Sequence, residues 1–247
     1  MVNMNELAAY CNELLEIEQF NDYCPNGLQI QGCESVDKIV TGVTACQALI
    51  DKAVQLQADC LLVHHGFFWK AETALLTGIK QRRIKSLLCN DINLLAYHLP
   101  LDAHKTLGNN VLLAQKLDIR IKHFFARNEI ALLGTVIRQS GKTFGRHLSQ
   151  VLNRQALHIP AKRSIENVAL CTGAAQSYIE QAIEAGADAF ISGEVSENTW
   201  HIAQENNIHY FAAGHHATER YGIQALGEHL AAQFKLEHIF VDIYNPV

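Results

Sequence analysis

The feature that most constrains this chain is that part of it is written twice. Gln47, Ile50, Ala53, Ala58 and Asp59 recur as Gln176, Ile179, Ala182, Ala187 and Asp188, each pair 129 positions apart (176 − 47). Both copies lead straight into a short apolar run, Cys60-Leu61-Leu62-Val63 and Ala189-Phe190-Ile191-Ser192. Apolar residues at helical spacing followed by a continuous apolar segment describe a helix feeding a buried strand. A second correspondence pairs Asn90-Asp91-Ile92-Asn93-Leu94-Leu95-Ala96 with Asn206-Asn207-Ile208-His209-Tyr210-Phe211-Ala212 at a spacing of 116 (206 − 90), which requires an insertion or deletion between the copies. The pattern predicts an α/β protein of two related halves, residues 1–125 and 126–247, with an approximate boundary.

Other segments fit the same class. Leu7, Ala8, Cys11, Leu14 and Leu15 predict an amphipathic helix from Asn5 to about Glu18, with Asn5 as its cap. Pro25-Asn26-Gly27 supplies a turn before a strand at Leu28-Gln29-Ile30, and Lys38–Val43, Cys60–Val63 and Ile92–Tyr97 read as further strands. Ala48–Gln57 reads as a helix, and a basic helix carries Lys80, Arg82, Arg83 and Lys85 on a solvated face. Gln139-Ser140-Gly141-Lys142 reads as a loop.

Composition narrows the class of function. With 49% hydrophobic and 18% charged residues the chain has the apolar surface a packed core needs. A net charge of -5 gives no global attraction to nucleic acid or anionic lipid. The seven cysteines are odd in number and lack C-x-x-C spacing, which predicts reduced core thiols. The first residues carry neither a basic region nor a long apolar stretch, so the expected location is the cytoplasm.

The chemistry is concentrated where three apolar runs end. These are Leu61-Leu62-Val63-His64-His65-Gly66, Leu94-Leu95-Ala96-Tyr97-His98-Leu99-Pro100-Leu101-Asp102 and Tyr210-Phe211-Ala212-Ala213-Gly214-His215-His216-Ala217-Thr218-Glu219. In open α/β sheets, ligands collect outside the carboxyl ends of strands. His215 and Glu219, four apart, share a face if a helix starts there, whereas Pro100 between His98 and Asp102 argues for an irregular loop. Imidazoles with two carboxylates suit zinc, iron, manganese, cobalt or nickel rather than calcium. The set His64, His65, Asp102, His215 and Glu219 exceeds the three protein ligands usual for one catalytic zinc, so two divalent ions per chain fit better, and hydrolysis is the natural reaction.

A bland reading stands beside this one. Any single His pair after a strand can be an ordinary loop feature, and with 13 histidines some cluster by chance. Three strand ends with the same chemistry weigh against chance. His98 and His216 are left open between supporting a ligand and packing. Glu194 either lines the pocket or precedes a helix cap formed by Ser196 and Glu197. Phe67-Phe68-Trp69 reads as core before pocket wall.

Pro25-Asn26-Gly27-Leu28-Gln29, Thr41-Gly42-Val43-Thr44, Val63-His64-His65-Gly66, His98-Leu99-Pro100-Leu101-Asp102, Ser192-Gly193-Glu194 and Gly214-His215-His216-Ala217-Thr218-Glu219 together resemble the bacterial YbgI family. That family is also called GTP cyclohydrolase 1 type 2 homologue and belongs to the Nif-three-like group. The resemblance runs nearly end to end. It implies two similar, partly intertwined three-layer α/β domains, a dinuclear metal centre, and a ring-shaped homohexamer. By matching positions the ligands would be His64, His65, Asp102, His215 and Glu219, with Glu219 as the bridge. The expected function is a metal-dependent hydrolase acting on a small, nucleotide-like molecule. The alternatives are a non-enzymatic metal carrier or insertion factor and an assembly protein stabilised by its metal.

Overall fold

The structure, a computed structural model, describes all residues from Met1 to Val247. In chain order the elements begin β1 (Val2–Asn3), α1 (Met4–Leu14), β2 (Gly27–Ile30), β3 (Ser35–Val36), β4 (Lys38–Thr44), α2 (Gln47–Gln55), β5 (Cys60–His65), α3 (Gly78–Cys89) and β6 (Asn93–Ala96). They continue with α4 (Leu99–Ala103), α5 (Asn109–Lys116), β7 (Arg120–Phe125), β8 (Ala131–Gln139), α6 (Gly141–Leu152), β9 (Leu157–Ile159), β10 (Ile165–Leu170), α7 (Ile179–Glu184) and β11 (Ala189–Ser192). Last come α8 (Glu197–Glu205), β12 (His209–Ala212), α9 (His215–Thr218), α10 (Arg220–Phe234) and β13 (Glu237–Phe240).

The chain divides into two compact units. The first holds Met1–Leu101 and Gly222–Tyr244, and the second holds Asp102–Tyr221 and Asn245–Val247. The first crossing therefore falls inside α4, not near residue 125. Strand pairing is the reason: β7 bonds antiparallel to β8, so the segment leading to Phe125 belongs to the sheet of the second unit. The chain returns to the first unit through α10 to place β13 parallel beside β4.

The first unit contains a five-stranded sheet in the order β13-β4-β5-β6-β2, parallel except for β2, and a small β1-β3 ladder. Its central strands are apolar along their length because both faces are covered. Leu49, Ile50 and Ala53 of α2 and Leu87 of α3 pack with Val40, Leu61 and Leu94 in its core. The second unit contains a six-stranded sheet in the order β7-β8-β10-β11-β12-β9. Here β10, β11 and β12 are parallel and their outer neighbours are antiparallel. Phe144 and Leu148 of α6 pack against Val168, Ile191 and Phe211.

The repeat seen in the sequence is a repeat in hydrogen bonding. Asp59 Oδ2 accepts from the backbone N–H groups of Asp37 and Lys38 at 2.8 and 2.9 Å, and Asp188 Oδ2 accepts from Glu166 and Asn167 at 3.0 and 2.8 Å. In both units the aspartate backbone bonds on one side to the preceding strand and on the other to the next. Both helices before it end alike: the N–H of Ala58 reaches the Ala53 carbonyl and that of Ala187 reaches Ala182, each at 3.0 Å. The left-handed residue there is Gln57 in one copy and Gly186 in the other, and Asp91 and Asn207 share that conformation in the second repeated turn.

Several local expectations change. The first helix starts at Met4, and Asn3 is the residue whose side chain caps it, accepting from the Asn5 N–H at 2.9 Å. It ends at Leu14, with a separate 3-10 turn at Ile17–Gln19. Ser140 caps α6 through the Thr143 N–H, so the stretch read as a loop is a helix start. Leu99–Ala103 is a short helix despite Pro100, because proline in a first turn forfeits no intrahelical bond.

The shared aspartate ties three strands together in each unit. Asp188→Ala is expected to lower unfolding stability by about 1–2 kcal/mol in urea titrations, since it removes the acceptor of two part-buried N–H donors. A loss below about 0.5 kcal/mol would contradict this reading of the repeat.

Candidate metal centre

In the first unit the parallel strands deliver three imidazoles to one place. His64 and His65 are the last two residues of β5 itself rather than loop residues beyond it. His64 is fully buried, and its Nδ1 donates to the Tyr97 carbonyl at 2.8 Å, which makes Nε2 the atom that presents a lone pair. The His65 Nδ1 lies 3.3 Å from Thr44 Oγ1 on the neighbouring strand. His98 follows β6, and its ring centroid is 5.2 Å from that of His64 and 5.6 Å from that of His65. One nitrogen from each of the three lies within 4.8 Å of the others. Gly66 is required here because a Cβ would overlap the Gln29 side chain and Ala96.

His98 is held from behind. Its Nδ1 bonds Asp22 Oδ1 at 2.7 Å, and the same carboxylate accepts from the backbone N–H of Tyr23 and Leu99 and from Asn26 Nδ2. Burial acts to raise the Asp22 pKa, but the hydrogen bond and charge of His98, with Asn26 and the Tyr23 N–H, outweigh it and hold the carboxyl below its usual range. Cys24 lies beside this pair, and burial followed by the Asp22 charge pushes its thiol up to about 12. Cys24 is therefore protonated and inert at neutral pH.

The second unit has its own cluster of buried oxygen donors. Asp102 is buried, and its Oδ1 accepts from Asn109 Nδ2 at 2.8 Å and Thr172 Oγ1 at 3.2 Å. Glu219, 2% exposed, sits where α9 meets α10 and has an oxygen within 4.8 Å of one from Asp102. The predicted spacing of four does place His215 against Glu219, with Nε2 to Oε2 at 3.1 Å. The other ring nitrogen meets Glu194 Oε1 at 2.6 Å. Burial opposes charge on His215, but Glu219 and Glu194 prevail and raise its pKa to about 9. Burial and then the charges of Asp102 and Glu219 push the Cys171 thiol far up as well.

Two buried carboxylates this close repel unless positive charge compensates them, and His215 supplies part of it. The backbone also clears space at this spot. At Gly173, φ is +66°, and a Cβ would overlap the Glu219 carboxylate and come within 3.4 Å of His215 Nε2. These His, Asp and Glu groups could hold a metal ion, and their donor set fits a borderline divalent cation.

The remaining sequence candidates separate clearly. Glu194 contacts His215 directly, while Ser196 is the cap of α8 in a reciprocal bond with Thr199 in place of Glu197. His216 is buried, with its backbone N–H bonded to the Val247 carbonyl at 3.0 Å. Of the aromatic triplet only Phe67 is core; Trp69 lies 5.0 Å from His98 and 5.9 Å from His65. Sequence reasoning missed Asp22, Asn109 and Thr172; Thr172 lies two residues past the end of β10, but it carries no histidine or carboxylate to mark it, and the other two stand at no strand end.

The Asp22 shift has a defined pH signature. A carboxyl with a depressed folded pKa contributes stability that is present above its unfolded pKa, about 4, and is lost as pH falls through the folded value. Asp22→Asn is thus expected to be less stable than the parent by about 1–3 kcal/mol at pH 7. In urea titrations that gap should narrow below about pH 4, and an equal gap at pH 7 and pH 3 would contradict the assignment.

Known proteins share this sequence and this fold from end to end. Residues 2–246 match the family model Duf34/NIF3 (NGG1p interacting factor 3). A Vibrio cholerae protein named GTP cyclohydrolase 1 type 2 homolog is 52% identical over 252 residues, covering 100% of both chains. One of the same name from Pseudomonas aeruginosa is 50% identical over 249 residues, covering 99% of each. The solved structure of protein ybgI, described as of unknown function, superposes with a TM-score of 0.97 at 46% identity and covers 100% of both chains. With its repeated α/β units and this end-to-end likeness, the chain belongs to the Duf34/NIF3 family.

Proposed function

We propose that His64, His65, Asp102, His215 and Glu219 together bind two divalent metal ions, with Glu219 shared between them, and that the protein is a metal-dependent hydrolase of a small, nucleotide-like molecule. The observation that carries this reading is the buried carboxylate pair of Asp102 and Glu219 with His215 at 3.1 Å, beside a glycine whose missing Cβ leaves the carboxylate room. The matching ligand positions of the resembled family, and the cyclohydrolase name of the relatives, support the remainder.

Divalent ions held there would supply Lewis-acid activation of water and of a polar substrate bond. The chain's own groups prepare that chemistry. The Tyr97 carbonyl fixes the tautomer of His64, so its Nε2 lone pair is presented without a competing proton. Asn109 and Thr172 hold Asp102 Oδ1 and so fix the orientation of the carboxylate. Glu194 accepts from His215 Nδ1 and orients the ring. Because His215 carries a proton up to about pH 9 in the metal-free chain, occupation must release it.

Elemental analysis of purified protein tests the binding claim. About two ions per chain are expected in the wild type, falling sharply in Glu219→Ala. Equal metal content in the two proteins would overturn the ligand set. A screen of metal-loaded protein against nucleotides and other cyclic amides tests the hydrolase claim, which requires turnover that Glu219→Ala abolishes.

A further inference from the structure

Beside the three imidazoles of the first unit stands an aromatic face that the ligand set does not use. Trp69, half-buried, places its ring 5.0 Å from His98 at 82° and 5.9 Å from His65. Tyr23 is 63% exposed, and its ring is 6.5 Å from His98 at 63°. An exposed tyrosine and a half-covered tryptophan around one imidazole leave apolar π-surface next to a polar centre.

The backbone is shaped to hold these rings there. Between His65 and Trp69 the chain passes through Phe68 at φ +66°, a conformation costly for a bulky side chain and one that collects at binding sites. Gln29 fixes the start of that turn by accepting from the Phe67 N–H at 2.7 Å, while its amide donates to the Pro25 carbonyl at 2.8 Å. The Trp69 indole N–H donates to the Gly66 carbonyl at 3.3 Å, and the Lys70 N–H donates to the Tyr23 carbonyl at 2.8 Å. The two aromatic segments are thereby joined to each other.

His98 adds direction. Asp22 is acceptor-only as a carboxylate, so the 2.7 Å bond assigns the Nδ1 proton to His98 and fixes the orientation of its ring. That ring is the group faced by both Trp69 and Tyr23. We infer that Trp69, Tyr23 and His98 form the substrate-recognition subsite for a planar heteroaromatic ring. Trp69 and Tyr23 contribute stacking surface, and the oriented His98 imidazole meets a polar edge of the ring. His98 is then a ligand-recognition group rather than a metal ligand, and Asp22 is the positioning residue behind it. This inference rests on the proposed small-molecule activity and supplies its substrate class.

Guanosine is a suitable probe, and ribose 5-phosphate, which lacks the ring, is its control. The chain has two tryptophans, so a Trp200→Phe protein reports on Trp69 alone. Saturable quenching of its fluorescence by guanosine, and none by ribose 5-phosphate, is expected in both chelated and metal-loaded protein. By calorimetry, Trp69→Leu should weaken guanosine binding about tenfold or more, while Trp69→Phe should stay within about threefold of the parent. His98→Ala should weaken binding about fivefold or more without changing metal content. Absence of binding at millimolar guanosine, or equal affinity in parent and Trp69→Leu, would overturn the inference. Ring binding without any turnover would uphold this subsite while removing the hydrolase reading; turnover of a non-aromatic substrate with no ring binding would do the reverse.

Discussion

Asp102 and Glu219 are buried within 4.8 Å of each other, and much of the second unit is arranged around what that costs. A buried carboxylate must be compensated, and two together need more than one imidazolium can give. Asn109 and Thr172 bond one oxygen of Asp102, His215 approaches Glu219, and Gly173 yields the volume a side chain would take. Burial and then the same field raise the thiol of Cys171, and against burial Glu219 and Glu194 raise the imidazole of His215. A divalent cation, which these groups could hold, would offset the charge deficit.

The parallel strands make this placement possible. In the first unit β5 and β6 end side by side, bringing His64, His65 and His98 together. In the second unit β11 and β12 do the same for Glu194 and His215. The repeated aspartates at the other ends of these strands, Asp59 and Asp188, bind backbone donors and fix register. One duplicated scaffold thus carries two different chemistries: imidazoles at the end of β5, a carboxylate after β11.

The α/β class, the repeat and the His215–Glu219 pairing were legible because they rest on local patterns: buried strands as apolar runs, helices by their spacing, and two residues four apart. What was not legible depends on tertiary placement. Asp22 precedes any recognisable strand signal, and only its four hydrogen bonds in the fold reveal its relation to His98. Asn109 and Thr172 are small polar residues of kinds that occur in any helix or loop. Pro100 misled because its effect on a helix depends on whether it falls in the first turn, and the turn's start at Leu99 carries no separate signal. The division at Leu101 escaped because β7 pairs forward in the sequence, and β13 returns from the far end.

The proposed ligand set is open to direct inspection in a crystal structure of the metal-loaded protein, with anomalous diffraction collected at the absorption edge of the bound metal. Two anomalous peaks per chain are expected, liganded by His64, His65, Asp102 and His215 with Glu219 common to both, and His98 outside coordination distance. A single peak, or ions held by His98 and Asp22 in place of Asp102 and Glu219, would refute it.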